Sequence, residues 1–224
     1  MTGSRFDLII FDCDGVLIDS EAISSRIEIA AFEELGCSLT RHEYLKLTAG
    51  RTEEEEIWRS IASQHGIRLP EGFAERMRKS VEEAFETELR PIEGVKDVLH
   101  VIALDKCVAS GSRPERLKRV LEISGLNRFF NGNVFSATQV PRGKPHPDLF
   151  LFAARKMGVS PSRCVVIEDS PAGAHGALTA GMEVIGFVGA GHCDPAWSRE
   201  LERAGVENII DDMRMLPDML ETLR

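Results

Sequence analysis

Two carboxylates separated by one residue, Asp12 and Asp14, follow an apolar run in Phe6-Asp7-Leu8-Ile9-Ile10-Phe11-Asp12-Cys13-Asp14-Gly15. An acid pair of this kind can supply a nucleophile and a general acid or base. It would equally suit glycoside hydrolysis, which nothing in this segment excludes. Gly15 permits a tight turn and a close backbone approach to a phosphate. Taken alone, Asp14-Gly15 is also an ordinary turn after a strand.

Three later segments bear on that choice. In Val108-Ala109-Ser110-Gly111-Ser112 a hydroxyl precedes exposed backbone N–H groups just before a helix start, a reasonable anion cradle at Ser110 and Gly111. By itself it would pass for a polar loop. In Gly143-Lys144-Pro145-His146-Pro147-Asp148 the proline disfavours a helical Lys144, so the lysine is held extended, where it can neutralise a phosphate as a point charge. His146, between two prolines, reads as a loop residue. In Val165-Val166-Ile167-Glu168-Asp169-Ser170 an apolar run again ends in acids. Carboxylate oxygens at neighbouring strand ends suit Mg²⁺, while Ser170 reads as a helix N-cap. Nucleophile, hydroxyl, lysine and acid at four strand ends together point to phosphoryl transfer with Asp12 as nucleophile.

These side chains need a frame to bring them together. Short apolar runs at Phe6–Phe11, Lys106–Ser110, Val134–Ser136, Cys164–Glu168 and Glu183–Phe187 lack clean alternation, as strands buried on both faces do. Helical patterns at Pro114–Ile123, Pro147–Met157 and Pro171–Ala180 separate the later strands, and each starts near a proline. The alternation predicts an α/β fold with a doubly wound, mainly parallel, Rossmann-like sheet. A weaker strand at Asn208–Ile210 and a helix near Met215–Leu223 extend it.

The rhythm breaks between about residues 19 and 89, where only helical periodicity is seen. Three stretches carry it, around 22–35, 57–61 and 73–85. This span predicts a small helical cap at 16–91, inserted into a core formed by 1–15 and 92–224, with a return hinge at Arg90-Pro91-Ile92-Glu93-Gly94. Cap residues that could contact substrate are Gly50, Arg51, Thr52 and Arg78. Arg76 and Lys79 read as a solvated helix face, the Glu53–Glu56 run as a solvated first turn, and Trp58 and Trp197 as packing.

The bulk properties narrow the partners. The chain has 224 residues, 43% hydrophobic and 28% charged, with a formal net charge of -9. That charge disfavours nucleic acid. Five scattered cysteines without CxxC spacing argue against zinc and a disulfide framework, and for a reducing cytoplasm. Neither a signal peptide nor a membrane-spanning run is expected, and a monomer acting on a small phosphoester is.

With these motifs in place, the sequence closely resembles the haloacid dehalogenase-like superfamily, in its sugar-phosphatase and β-phosphoglucomutase-like branch. The resemblance rests on DxDGVLIDS at 12–20, Ser110, KPHPD at 144–148 and IEDSPAG at 167–173, in that order, with the helical insert after the first motif. It implies that Asp12 attacks phosphorus, Asp14 is the acid/base, and Ser110 and Lys144 hold phosphoryl oxygens. It also implies Mg²⁺ on Asp12, the Asp14 backbone carbonyl and Asp169, with Glu168 a further ligand. Dehalogenases of the superfamily lack the second acid, so Asp14 argues against that activity. The mutases carry a histidine in the run that here reads Ser20-Glu21-Ala22-Ile23-Ser24, which favours hydrolysis. A non-catalytic binding protein is the alternative from another class, although all four motifs are intact. The expected substrate is a phosphorylated sugar or sugar acid.

Overall fold

The computed structural model describes residues 5–48, 54–193 and 196–223. Six strands form one sheet: β1 (Leu8–Phe11), β2 (Asp105–Ser110), β3 (Val134–Ser136), β4 (Cys164–Glu168), β5 (Glu183–Phe187) and β6 (Asn208–Ile210). All neighbours pair in parallel, in the order β3-β2-β1-β4-β5-β6. The sheet is therefore wholly parallel. Its strands are buried on both faces, as their unbroken apolar runs require. In β1, Ile9 and Phe11 join one core and Leu8 and Ile10 the other.

The first core is closed by α5 (Val95–Val101), α6 (Pro114–Ser124) and α10 (Leu216–Thr222). The second is closed by α7 (Asp148–Met157), α8 (Pro171–Thr179) and α9 (Trp197–Arg203). Of these, α5 and α9 have no counterpart in the sequence reading. Each is only seven residues long.

Between β1 and α5 the chain forms α1 (Ser20–Glu34), α2 (Arg41–Thr48), α3 (Glu54–Gln64) and α4 (Phe73–Glu88). Three helical stretches were expected in this span, and α2 is the addition. It buries only Tyr44 and Leu45, so its apolar signal is faint. These helices share their own core, in which Phe32, Tyr44, Trp58 and Phe73 meet. The outgoing and returning chains lie side by side: Asp19 N donates to Arg90 O at 3.1 Å, and Ile92 N to Leu17 O at 3.0 Å. Among the described residues no helix is long and apolar enough to cross a membrane.

Candidate active site

The register of the three central strands brings the site together. Phe11 pairs with Val108 on one side and Ile167 on the other. Asp12, Ser110 and the Glu168–Asp169 pair thus emerge at the same edge of the sheet. Strand order reverses there, with β2 on one side of β1 and β4 on the other, and this is where open α/β sheets bind ligands. Lys144 enters from the connection between β3 and α7, with its ammonium 2.8 Å from Asp12 Oδ1.

Asp12, Asp14, Ser110, Gly111, Lys144 and Asp169 all line one cavity of about 570 Å³. Arg78, from α4, lines it as well. Glu168 does not; it is fully buried behind Lys144. Its Oε1 takes the lysine ammonium, while Oε2 accepts from the amides of Asp169 at 2.9 Å and Ser170 at 3.0 Å and from the Ser170 hydroxyl at 3.2 Å. Ser170 also caps α8, accepting from Gly173 N at 3.0 Å, as its position suggested. Gly50, Arg51 and Thr52 lie outside the described residues.

Two glycines are required by this packing. Gly15 has φ +76°, and a Cβ there would stand 1.9 Å from Asp169 Oδ2. At Gly173 a Cβ would lie 1.6 Å from Glu168 Oε1. Neither position has room for a side chain.

The electrostatics divide the acids into two kinds. Burial raises the Asp12 carboxyl well above its usual range; Lys144 opposes this, and Glu168 and Asp169 reinforce it. Asp169 is raised likewise, by burial and then by Glu168. Lys144 is held protonated: burial would lower it, but Asp12 and Glu168 together outweigh that. Asp14 goes the other way. Burial alone would raise it, yet the Arg116 guanidinium 2.8 Å away and hydrogen bonds from Arg116, Ser20 and Ser112 bring it down to about 2. Ser20 donates to Oδ1 at 2.6 Å and Ser112 to Oδ2 at 2.7 Å. Asp14 is therefore ionised in this arrangement, the form of a base.

Asp12, Glu168 and Asp169 each offer a carboxylate oxygen within 4.8 Å of the others, and all three are buried. One lysine faces three acids, and buried charge of one sign requires a counter-ion or a proton. Asp12 Oδ1 is buried, and its close contact is the Lys144 ammonium at 2.8 Å. An all-oxygen cluster with more negative than positive charge fits a hard divalent cation. Glu168 Oε1 holds Lys144 while Oε2 accepts three hydrogen bonds, so Glu168 also orients the lysine.

Several contributors were not singled out in the sequence. Arg116 and Ser112 bind Asp14, and Glu21 lines the cavity with a carboxyl pushed up to about 7 by burial. His192 Nε2 lies 3.0 Å from Asp169 Oδ2, and Trp197 Nε1 donates to Asp169 O at 2.7 Å. Trp197 is thus packing, as expected, with a hydrogen bond besides. The solvated first turn expected at 53–56 is corrected at Glu55 and Glu56, Glu53 lying outside the described residues. Glu55 ion-pairs with Arg78, and Glu55 and Glu56 line the cavity, because α4 packs alongside. Arg76 and Lys79 are exposed, as expected. One signal could have exposed Arg116. A cation in the first turn of a helix opposes the helix dipole and calls for an acid nearby.

The haloacid dehalogenase-like hydrolase family matches residues 6–181. The chain is 35% identical to 6-phosphogluconate phosphatase of Escherichia coli (strain K12) over 193 residues, 86% of this chain and 87% of that one. It is 32% identical to hexitol phosphatase B of the same organism over 184 residues, 79% and 81% of the two chains. A conserved haloacid dehalogenase-like protein from Agrobacterium tumefaciens superposes with a TM-score of 0.89 at 39% identity, covering 97% of this chain and 99% of that one. A family hydrolase from Deinococcus radiodurans R1, solved with bound phosphate and sodium, gives a TM-score of 0.82 at 30% identity, covering 98% and 97%.

Proposed function

This chain belongs to the haloacid dehalogenase-like hydrolases, and from that premise we propose that it is a Mg²⁺-dependent phosphatase of a phosphorylated sugar or sugar acid, working through an aspartyl-phosphate. The observation that carries the reading is the convergence of Asp12, Asp14, Lys144 and Asp169 on one cavity. The relatives named for 6-phosphogluconate and hexitol phosphates support the substrate class.

A carboxylate oxygen of Asp12 attacks phosphorus, and the P–O bond to the substrate alcohol breaks as the new one forms. Splitting the displacement in two avoids a single difficult step. Lys144, Ser110 and the Gly111 amide hold the phosphoryl oxygens, with Lys144 offsetting the repulsion between two anions. Asp14 gives the leaving alcohol its proton and then removes one from the water that cleaves the phosphoaspartate. To donate, it must first take up a proton from solvent, which its contact with Arg116 opposes in this arrangement. When bound, Mg²⁺ on Asp12, Asp169 and the Asp14 carbonyl supplies charge neutralisation at the transferring group. Glu168 keeps Lys144 in line.

Helices α1–α4 serve as the cap at 16–91 over a core of 1–15 and 92–224, and Arg78 is its described cation at the cavity. A cap of this kind excludes water and selects the alcohol. Action as a monomer is part of this proposal. Five free cysteines accord with the cytoplasm.

Phosphate release from a panel of sugar and sugar-acid phosphates, with and without Mg²⁺, tests the reading. Release that needs Mg²⁺ is expected, and no release from any member would favour a binding protein. Against mutase activity, Ser24 lines the cavity in the run where a mutase histidine would stand, and no described lining residue is a histidine.

A further inference from the structure

Asp169 is held by a segment that the reaction itself does not use, the connection from β5 into α9. Trp197 Nε1 donates to its main-chain oxygen at 2.7 Å, and His192 Nε2 lies 3.0 Å from its Oδ2. His192 Nε2 also lies 3.4 Å from Cys193 Sγ, so the ring sits between that thiol and the carboxylate oxygen. The two rings brace one another edge to face, with centroids 5.9 Å apart and planes at 82°. Both residues are buried, His192 to 3% exposure and Trp197 to 2%.

Packing alone does not account for this pair. His192 Nδ1 is buried with no hydrogen-bond partner, a cost that an apolar side chain of similar size would not carry. Trp197, in turn, aims its one polar atom at the backbone of a cavity acid. Gly15 closes the remaining side, since a Cβ there would meet both Asp169 Oδ2 and His192 Cε1. The carboxylate is thereby clamped on several sides. One oxygen, Oδ2, lies directly against His192.

We propose that His192 and Trp197 are positioning residues for the divalent cation, fixing the carboxylate and main chain of Asp169 in the ligating orientation. The inference rests on the reading of Asp12 and Asp169 as metal ligands. Groups that orient a ligand in this way commonly tune metal affinity, and losing one weakens binding by about 10- to 100-fold. The same segment also rests against the inserted helices. Gly191 N donates to Asp19 Oδ1 at 3.2 Å, and the His42 ring of α2 stands edge to face with Trp197 at 6.4 Å. The clamp on Asp169 is thus continuous with the hinge and with α2.

The test is Mn²⁺ binding to the full chain, measured by calorimetry on wild type, His192→Ala, His192→Gln and Trp197→Phe, with thermal melting to establish that each is folded. Mn²⁺ shares the oxygen preference of Mg²⁺. His192→Ala is expected to bind about 10- to 100-fold more weakly. His192→Gln, whose amide can donate to the same oxygen, is expected to recover much of the loss. Trp197→Phe keeps the ring and loses only the N–H, and is expected to weaken binding at least several-fold. Unchanged affinity in folded His192→Ala overturns the proposal. Should that variant fail to fold, unchanged affinity in Trp197→Phe overturns it instead. If wild type binds no Mn²⁺, the metal reading itself fails and the inference falls with it.

Discussion

Replacing Lys144 by methionine removes one charge and keeps most of the side chain's length. The lysine side chain is 1% exposed, and its acid partners Asp12 and Glu168 are 6% and 0% exposed. Its loss leaves Asp12, Glu168 and Asp169 together in a buried site with no ammonium. Burial already raises the Asp12 and Asp169 carboxyls, and Lys144 is the group that opposes this in both. In the variant the native state therefore keeps a proton that the unfolded chain gives up near pH 4. A carboxyl raised in the folded state stabilises it while protonated, and that stabilisation is lost as pH rises through the raised value. Each extra native proton lowers stability by about 1.4 kcal/mol per pH unit. Relative to wild type, Lys144→Met should thus lose about 1.4 kcal/mol per pH unit for each proton that it alone retains, above the ordinary carboxylate range. Total loss at the alkaline end should approach the roughly 3–5 kcal/mol of a broken buried pair. Urea unfolding at pH values above that range, with chelator present, measures both quantities. Saturating Mg²⁺ should shrink the difference by supplying the missing charge. Parallel stability profiles for the two proteins would refute the reasoning.

Asp12→Asn should abolish both turnover and the acid-labile phosphoenzyme, with the far-ultraviolet spectrum unchanged; a phosphoenzyme trapped in that variant would place the nucleophile elsewhere. Asp14→Asn should lower turnover by on the order of 10²- to 10⁴-fold and leave the chain folded, and near-normal turnover would remove its acid/base role. Gly15→Ala meets both a left-handed backbone and Asp169 Oδ2 at 1.9 Å, so it should cost more than about 1 kcal/mol in unfolding experiments and weaken Mn²⁺ binding. A fully stable Gly15→Ala protein with normal Mn²⁺ affinity would show that the turn has more room than the geometry allows.

Much of the site is legible without coordinates because its members follow apolar runs directly. Asp12, Ser110 and Asp169 each sit at or just past the end of a buried strand, and strand ends in a doubly wound sheet share one edge. Lys144 is visible for a related reason, since flanking prolines confine the loop that carries it. Arg116, Ser112, His192 and Trp197 were not legible as site residues. Their partners lie between 23 and 102 positions away, and they meet only because of how α6 and α9 pack on the sheet.

The sequence by itself determines the chemistry: an acid pair, a hydroxyl, a lysine and a second acid pair, set on elements that can only build a parallel sheet. Tertiary structure decides the protonation states. Asp12 and Asp14 are two residues apart and identical in type, yet one is raised by burial among acids while the other is pulled down to about 2 by Arg116. Charge interactions depend on distance and on the exclusion of water, and both are set by which helices pack above the strand ends.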